Sequence, residues 1–326
     1  MTDYIPSDEV MAVWPKISGS DINRRGKKDK LRPHPIFWRN DLDSFPHGGA
    51  QGVFLDRSLK SPAVQAAWGR RQKQLGTPVS DVASKSKEKS PEEWTELIKK
   101  VSLESGAVDV GICAYRPEWT YDDRPIPTEK WAIVLVVAHD YDKLKTAPDE
   151  NSLAEVVNQY GSAAKASLLV TSWVHEQGWS ATSKPGPRAE DVILIPAEIE
   201  SGVAELGKHG SIINRKHGSN VRLSLVLTDI PLVSDKPEPF GGDLFCQSCQ
   251  VCSNAFPVDA IEPEKQWVNG EVKWYTDFDK CVPYFVDNMG CGLCIAQCPW
   301  SRPGVTENLI TKMAKRMASK ATESSQ

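Results

Sequence analysis

The chain has 326 residues, 40% hydrophobic and 25% charged, with a net charge of −4. That length holds one large domain or two ordinary ones, with room for a buried core. The acidic balance argues against a nucleic-acid surface, and no apolar run approaches the ~18 residues of a membrane span. The most apolar stretch, Trp131 to Ala138, has strand length. The start of the chain shows no signal-peptide pattern, and Arg24-Arg25 is followed by Gly26-Lys27-Lys28 where a twin-arginine signal needs apolar residues. The expected location is the cytoplasm, with neither membrane nor nucleic acid as a partner.

Residues 1–85 read as an irregular arm that wraps the main domain. Trp14, Trp38 and Trp68 argue against simple disorder, because disordered tails are poor in aromatics. Lys85 to Lys89 reads as a solvated linker. Order begins at Ser90-Pro91-Glu92-Glu93, where Ser90 suits an N-cap, Pro91 the first helical position and Glu93 a capping box. Trp94, Leu97, Ile98 and Val101 then recur at helical spacing. Strands are expected at Val108–Cys113 and Trp131–Ala138, and a helix from the Ser152-x-x-Glu155 cap to about Gln177, stopped by Gly178. Val192–Ile195 reads as a short strand and Ala197–Leu206 as a short helix. Arg222–Thr228 reads as a strand with Leu223, Leu225 and Leu227 on one face. The interleaving implies a layered α/β or α+β domain over 86–235. Ser234 to Pro239 marks its boundary, a cysteine-rich module fills 236–304, and 305–326 is a helical tail.

Seven of the eight cysteines lie between Cys246 and Cys298. A chain this long, with no sign of secretion, points to metal ligation over disulfides. Cys113 reads as an ordinary buried thiol. The first run is Cys246-x-x-Cys249-x-x-Cys252-x-x-x-Phe256-Pro257; the second is Cys281, then Cys291-x-x-Cys294-x-x-x-Cys298-Pro299. Both follow the bacterial ferredoxin pattern, in which the fourth cysteine serves the other cluster. Cys246, Cys249, Cys252 and Cys298 then complete one [4Fe–4S] cluster. Cys281, Cys291 and Cys294 remain for a second, and Phe256 stands where its fourth ligand belongs. That second site is a three-cysteine cluster with an outside ligand, a [3Fe–4S] cluster, or empty. Zinc is the competing reading, but zinc ribbons use two Cys-x-x-Cys pairs and do not require the trailing Cys-x-x-x-Cys-Pro.

Residues 90 to 304 resemble the corrinoid-dependent reductive dehalogenases, particularly their non-respiratory, cytoplasmic-type relatives. The resemblance rests on Glu205-Leu206-Gly207-Lys208-His209-Gly210, Arg222-Leu223, Thr228-Asp229-Ile230-Pro231-Leu232, Asp277 to Phe285, Gly290 to Cys294, and Pro299-Trp300-Ser301-Arg302-Pro303-Gly304. Upstream, Arg116-Pro117-Glu118, Asp140-Tyr141-Asp142 and Gln159-Tyr160-Gly161 match as well. It implies an α+β fold: a nitroreductase-like cobamide-binding domain followed by a ferredoxin-like iron–sulfur module that delivers electrons to cobalamin or another cobamide. It implies reductive dehalogenation, or a related reductive cleavage, of a small organic substrate. It further implies Tyr160 as proton donor, Lys208 as the cation beside it, and Gly207, His209 and Gly210 as cofactor contacts. Phe256 departs from the family pattern. So do Lys184, where relatives tend to carry histidine, and His139, where they tend to carry methionine. Electrons must come from outside, from a ferredoxin, flavodoxin or reductase, since no flavin or nicotinamide domain is visible. The alternatives are an electron-transfer or corrinoid-binding protein without dehalogenase activity, and an enzyme like epoxyqueuosine reductase.

Overall fold

The computed structural model describes residues 4–187 and 191–323. Its centre is an antiparallel sheet of four strands in the order Asp109–Ala114, Trp131–Ala138, Val221–Thr228, Ala181–Pro185. Strand residues alternate between faces, and both faces are buried here. Ile112, Ile133, Leu135 and Val226 pack with Trp94, Ile98, Val170 and Val174 of two helices. Cys113, Val134, Leu225 and Leu227 pack on the other side with Ala197 and Val203. Each such side chain contributes ~1.5–3 kcal/mol by leaving water. The architecture is α+β.

Helix Pro91–Glu104 carries the capping box read from the sequence: Glu93 N–H donates to Ser90 Oγ at 3.2 Å, and Ser90 N–H to the Glu93 carboxylate at 2.9 Å. The long helix Glu150–Glu176 starts earlier than expected. Its N-cap is Asp149, whose carboxylate accepts from Asn151 and Ser152 N–H, and Ser152 is the third helical residue. It ends at Gly178, whose φ of +83° is left-handed and whose missing Cβ makes room for the Lys85 carbonyl.

Three other expectations need correction. Residues 1–85, read as irregular, contain over the described 4–85 the helices Asp8–Ala12, Gly19–Ile22, Gly48–Ser58 and Pro62–Leu75. Pro62–Leu75 lies against the long helix, and Gly161 allows the approach, since a Cβ there would sit 1.9 Å from Gln74 Oε1. Val192 makes only an isolated bridge with Thr120. The helix expected over Ala197–Leu206 is Ile195–Glu200; Gly202, at φ +76°, breaks it, and Ala204–Leu206 is a strand paired with Ile212–Asn214.

The cysteines sit on short helices and the turns between them: Gly242–Ser248, Val251–Ala255, Phe278–Asp287 and Leu293–Ala296. Glu205 holds the start of the first, accepting from the N–H groups of Phe240 at 2.5 Å, Gly241 at 2.9 Å and Asp243 at 2.7 Å. The N-terminal segment is tied to Phe278–Asp287. Asp279 accepts from Ser18 Oγ at 2.6 Å and Gly19 N–H at 2.9 Å, and Asp287 accepts from Tyr4 Oη at 2.5 Å, Ser7 Oγ at 2.7 Å and Arg57. Among the described residues no helix is long and apolar enough to cross a membrane.

Candidate functional site

Cys246, Cys249, Cys252 and Cys298 line one cavity, together with Lys208, His209, Phe245, Pro299 and Trp300. They come from three short elements and meet only in the folded chain. All four are free thiols. Burial pushes Cys246 up to about 12 and Cys298 to about 11. The thiolate form is therefore costly there without a cation, and metal binding supplies one. Among the described residues, no three His, Cys, Asp or Glu side chains come close enough to hold a single metal ion. Thiols arranged around a space fit a multi-iron cluster better than one zinc. Two donors reach the sulfurs: Lys208 N–H to Cys246 at 3.4 Å, and Ser219 Oγ to Cys298 at 3.9 Å. The Lys208 ammonium and Trp300 Nε1 are buried in this wall with no hydrogen-bond partner. An anionic cluster fits such a lining.

Cys281, Cys291 and Cys294 form the second set. Burial raises Cys281 to about 12 and Cys291 to about 11, although the Leu293 and Gly292 N–H groups face the Cys291 sulfur and act the other way. Met289, Gly290, Cys291 and Gly292, in one loop, all have positive φ; the Gly290 and Cys291 N–H groups donate to the Phe285 and Asn288 carbonyls at 2.9 and 2.7 Å. Burial raises Cys294 as well, and the thiols Cys281, Cys291, Cys252 and Cys298 add to it. Phe256 is 2% exposed and packs with Cys252 and Cys291, with Cys281 and Cys294 against the same group. Its ring meets Tyr284 edge-on at 5.6 Å. A phenyl ring thus packs beside the three thiols.

A second cavity, of about 100 Å³, adjoins that loop. Cys291 and Gly292 line one side; Tyr160 and Arg222 provide its polar groups; Trp38, Phe54, Trp68 and Phe285 give aromatic walls. The Arg222 guanidinium lies 5.2 Å from the Tyr160 ring centroid. Arg222 Nε and Asn220 Oδ1 are buried without hydrogen-bond partners, and the buried His139 faces Glu155, Nδ1 to Oε1 3.8 Å. His139 is lowered to about 4 by burial and then by the Arg222 charge, with Glu155 opposing. The unpartnered Arg222 Nε at the wall of this aromatic cavity is open to a polar group of a bound molecule.

The expected pairing of Lys208 with Tyr160 needs correction. Lys208 lines the thiol cavity, and its ammonium lies over Trp274 at 4.9 Å; the cation on Tyr160 is Arg222. Lys208 follows strand Ala204–Leu206 and turns toward the cysteines. Arg222 projects from strand Val221–Thr228 toward the long helix. The available signal for it was an arginine opening an otherwise apolar strand. Gly207 and Gly210 line neither cavity. A Cβ on Gly207 would meet the His209 ring at 2.5 Å, and Gly210 takes φ +75°. His209 belongs to the thiol wall, its Nε2 2.8 Å from Ser219 Oγ. Cys113 is a buried thiol raised to about 12 by burial, as its strand position implies.

No family model matches the chain. The tetrachloroethene reductive dehalogenase of Desulfitobacterium hafniense is 27% identical over 313 residues, covering 86% of this chain and 55% of that protein. A catabolic reductive dehalogenase solved with 3-bromo-4-hydroxybenzoic acid superposes with a TM-score of 0.72 at 23% identity, over 97% of this chain and 47% of that one. The epoxyqueuosine reductase of Leadbetterella byssophila is 29% identical over 128 residues, 33% of this chain and 38% of that enzyme. The chain thus spans about half the length of the dehalogenases it matches. In sequence and in fold it is reductive dehalogenase-like.

Proposed function

We propose that this chain carries out the reductive dehalogenation, or a related reductive cleavage, of a small organic substrate. The observation that carries the reading is the second cavity, which brings the second cysteine loop, through Cys291, to Tyr160 and Arg222. Overall the reaction takes a carbon–halogen bond, two electrons and one proton to a carbon–hydrogen bond and halide. An external ferredoxin, flavodoxin or reductase supplies the electrons singly. Cys246, Cys249, Cys252 and Cys298 hold a [4Fe–4S] cluster. Cys281, Cys291 and Cys294 hold a [3Fe–4S] cluster, because Phe256 brings no ligand.

A bound cobamide would supply the low-potential metal chemistry at the halide. Arg222, which lines the cavity and whose Nε has no partner, would hold a polar group of its rim. The aromatic walls exclude water, and Tyr160 gives its phenolic proton to the carbon that loses halide. The Arg222 guanidinium, 5.2 Å from the ring centroid, holds the tyrosine ring in place. The nitroreductase-like part is assigned to 86–235 and the ferredoxin-like part to 236–304.

Anaerobic reconstitution with iron, sulfide and cobalamin tests this. The expected result is stoichiometric cobalt and iron, with bromide released from a brominated phenol. Iron retained without cobalt or bromide refutes it and leaves an electron carrier.

A further inference from the structure

Lys208 is 1% exposed, and its ammonium has no hydrogen-bond partner. The nearby carboxylate of Asp243 is already engaged by Trp274 Nε1 at 2.7 Å and Lys265 Nζ at 2.8 Å. An isolated buried ammonium costs several kcal/mol unless an anion faces it. The cavity Lys208 lines holds Cys246, Cys249, Cys252 and Cys298, and its charge favours the thiolate of Cys252. An iron–sulfur cluster on four thiolates is an anion, and one-electron reduction adds a further negative charge. A fixed cation beside it stabilises the reduced form more than the oxidised form.

The neighbouring residues act in the same direction. Ser211 N–H donates to His209 Nδ1 at 3.2 Å, which leaves Nε2 as the protonated nitrogen. Nε2–H donates to Ser219 Oγ at 2.8 Å, and the Ser219 hydroxyl proton is thereby directed to Cys298 Sγ at 3.9 Å. Hydrogen bonds to cluster sulfurs raise the potential.

We infer that Lys208, together with the His209–Ser219 chain, raises the reduction potential of the first cluster. This rests on the reading that these four cysteines carry a [4Fe–4S] cluster, and the test separates the two.

The full chain is reconstituted with iron and sulfide alone, iron is counted, and the midpoint is read by EPR in a dye-mediated titration. Lys208→Met is expected to hold its iron and to weaken reduction by tenfold or more, a fall of about 59 mV or more for one electron. Lys208→Arg stays near the unaltered chain. Ser219→Ala, which leaves the buried charge in place, falls in the same direction by less. An intact cluster with an unchanged midpoint in Lys208→Met overturns the inference. If that variant does not load iron, an unchanged midpoint in Ser219→Ala overturns it. An unaltered chain that assembles no four-iron cluster overturns the underlying reading as well.

Discussion

Replacing Phe256 by cysteine should supply a fourth ligand to the proposed second cluster. The ring is 2% exposed and packed against Cys252, Cys291 and Tyr284. Truncating a buried phenylalanine to alanine costs ~3–5 kcal/mol. Cysteine keeps one more heavy atom, so the iron-free variant is expected to lose about 2–4 kcal/mol, including ~0.5–1.5 kcal/mol for the edge-on contact with Tyr284. Cluster assembly then offsets that loss, because a fourth thiolate binds iron only in the folded chain. The assay is iron and sulfide counting after anaerobic reconstitution, with EPR of the oxidised protein. The unaltered chain is expected to show a [3Fe–4S] signal, and Phe256→Cys to lose it while gaining about one iron per chain. Denaturation should show the variant weaker than the unaltered chain without iron and recovered with it. Unchanged iron and an unchanged spectrum refute the placement of Phe256 at the ligand corner.

Tyr160→Phe removes the proposed proton donor and should lower turnover by ~10²–10⁴-fold while leaving iron and cobalt content intact; unchanged bromide release excludes the tyrosine. Asp287 anchors the N-terminal segment. Burial works against its charge, but hydrogen bonds from Tyr4, Ser7 and Arg57 prevail and hold its carboxyl below the usual range. Asp287→Ala is expected to cost about 2–3 kcal/mol and to speed proteolysis before Ser61, read by urea unfolding and timed digestion. His139 is held at about 4 by burial and Arg222. The unfolded chain takes up that proton below ~6.5, so the stability His139 contributes is complete above that pH and lost as pH falls toward 4. The loss is about 2 kcal/mol at pH 5. His209, also lowered to about 4, acts in the same window; the Glu155 carboxyl, against its burial, is held below its usual range by hydrogen bonds from His139, Asp140 and Gln159. The urea midpoint of His139→Met should therefore fall less between pH 7 and pH 5 than that of the unaltered chain, and equal slopes sink the argument.

Local signals in the chain carried far. Ser90, Pro91 and Glu93 specify a helix start because all three act within one turn. The cysteine spacing identified the set that meets at the first cavity, and Phe256 marked the incomplete second set. The long helix was legible, but its start was not, because Asp149 and Ser152 both suit a cap and only the fold selects between them. The helices of residues 1–85 were missed because their aromatic residues are partnered from afar: Trp38 meets Phe54 and Phe285, and Trp14 meets His47 and Phe278.

The sequence by itself brings Cys246, Cys249 and Cys252 together, since thiols a few residues apart on tight turns share a neighbourhood, whereas Cys298 joins them only through the fold. Which cation serves which group was decided by tertiary structure alone. Lys208 and Arg222 lie close in sequence, yet one turns to the cysteines and the other crosses from its strand to Tyr160 on the long helix. A side chain's partner across a sheet–helix interface depends on strand order and facing. Neither property is encoded within a few residues of the side chain itself.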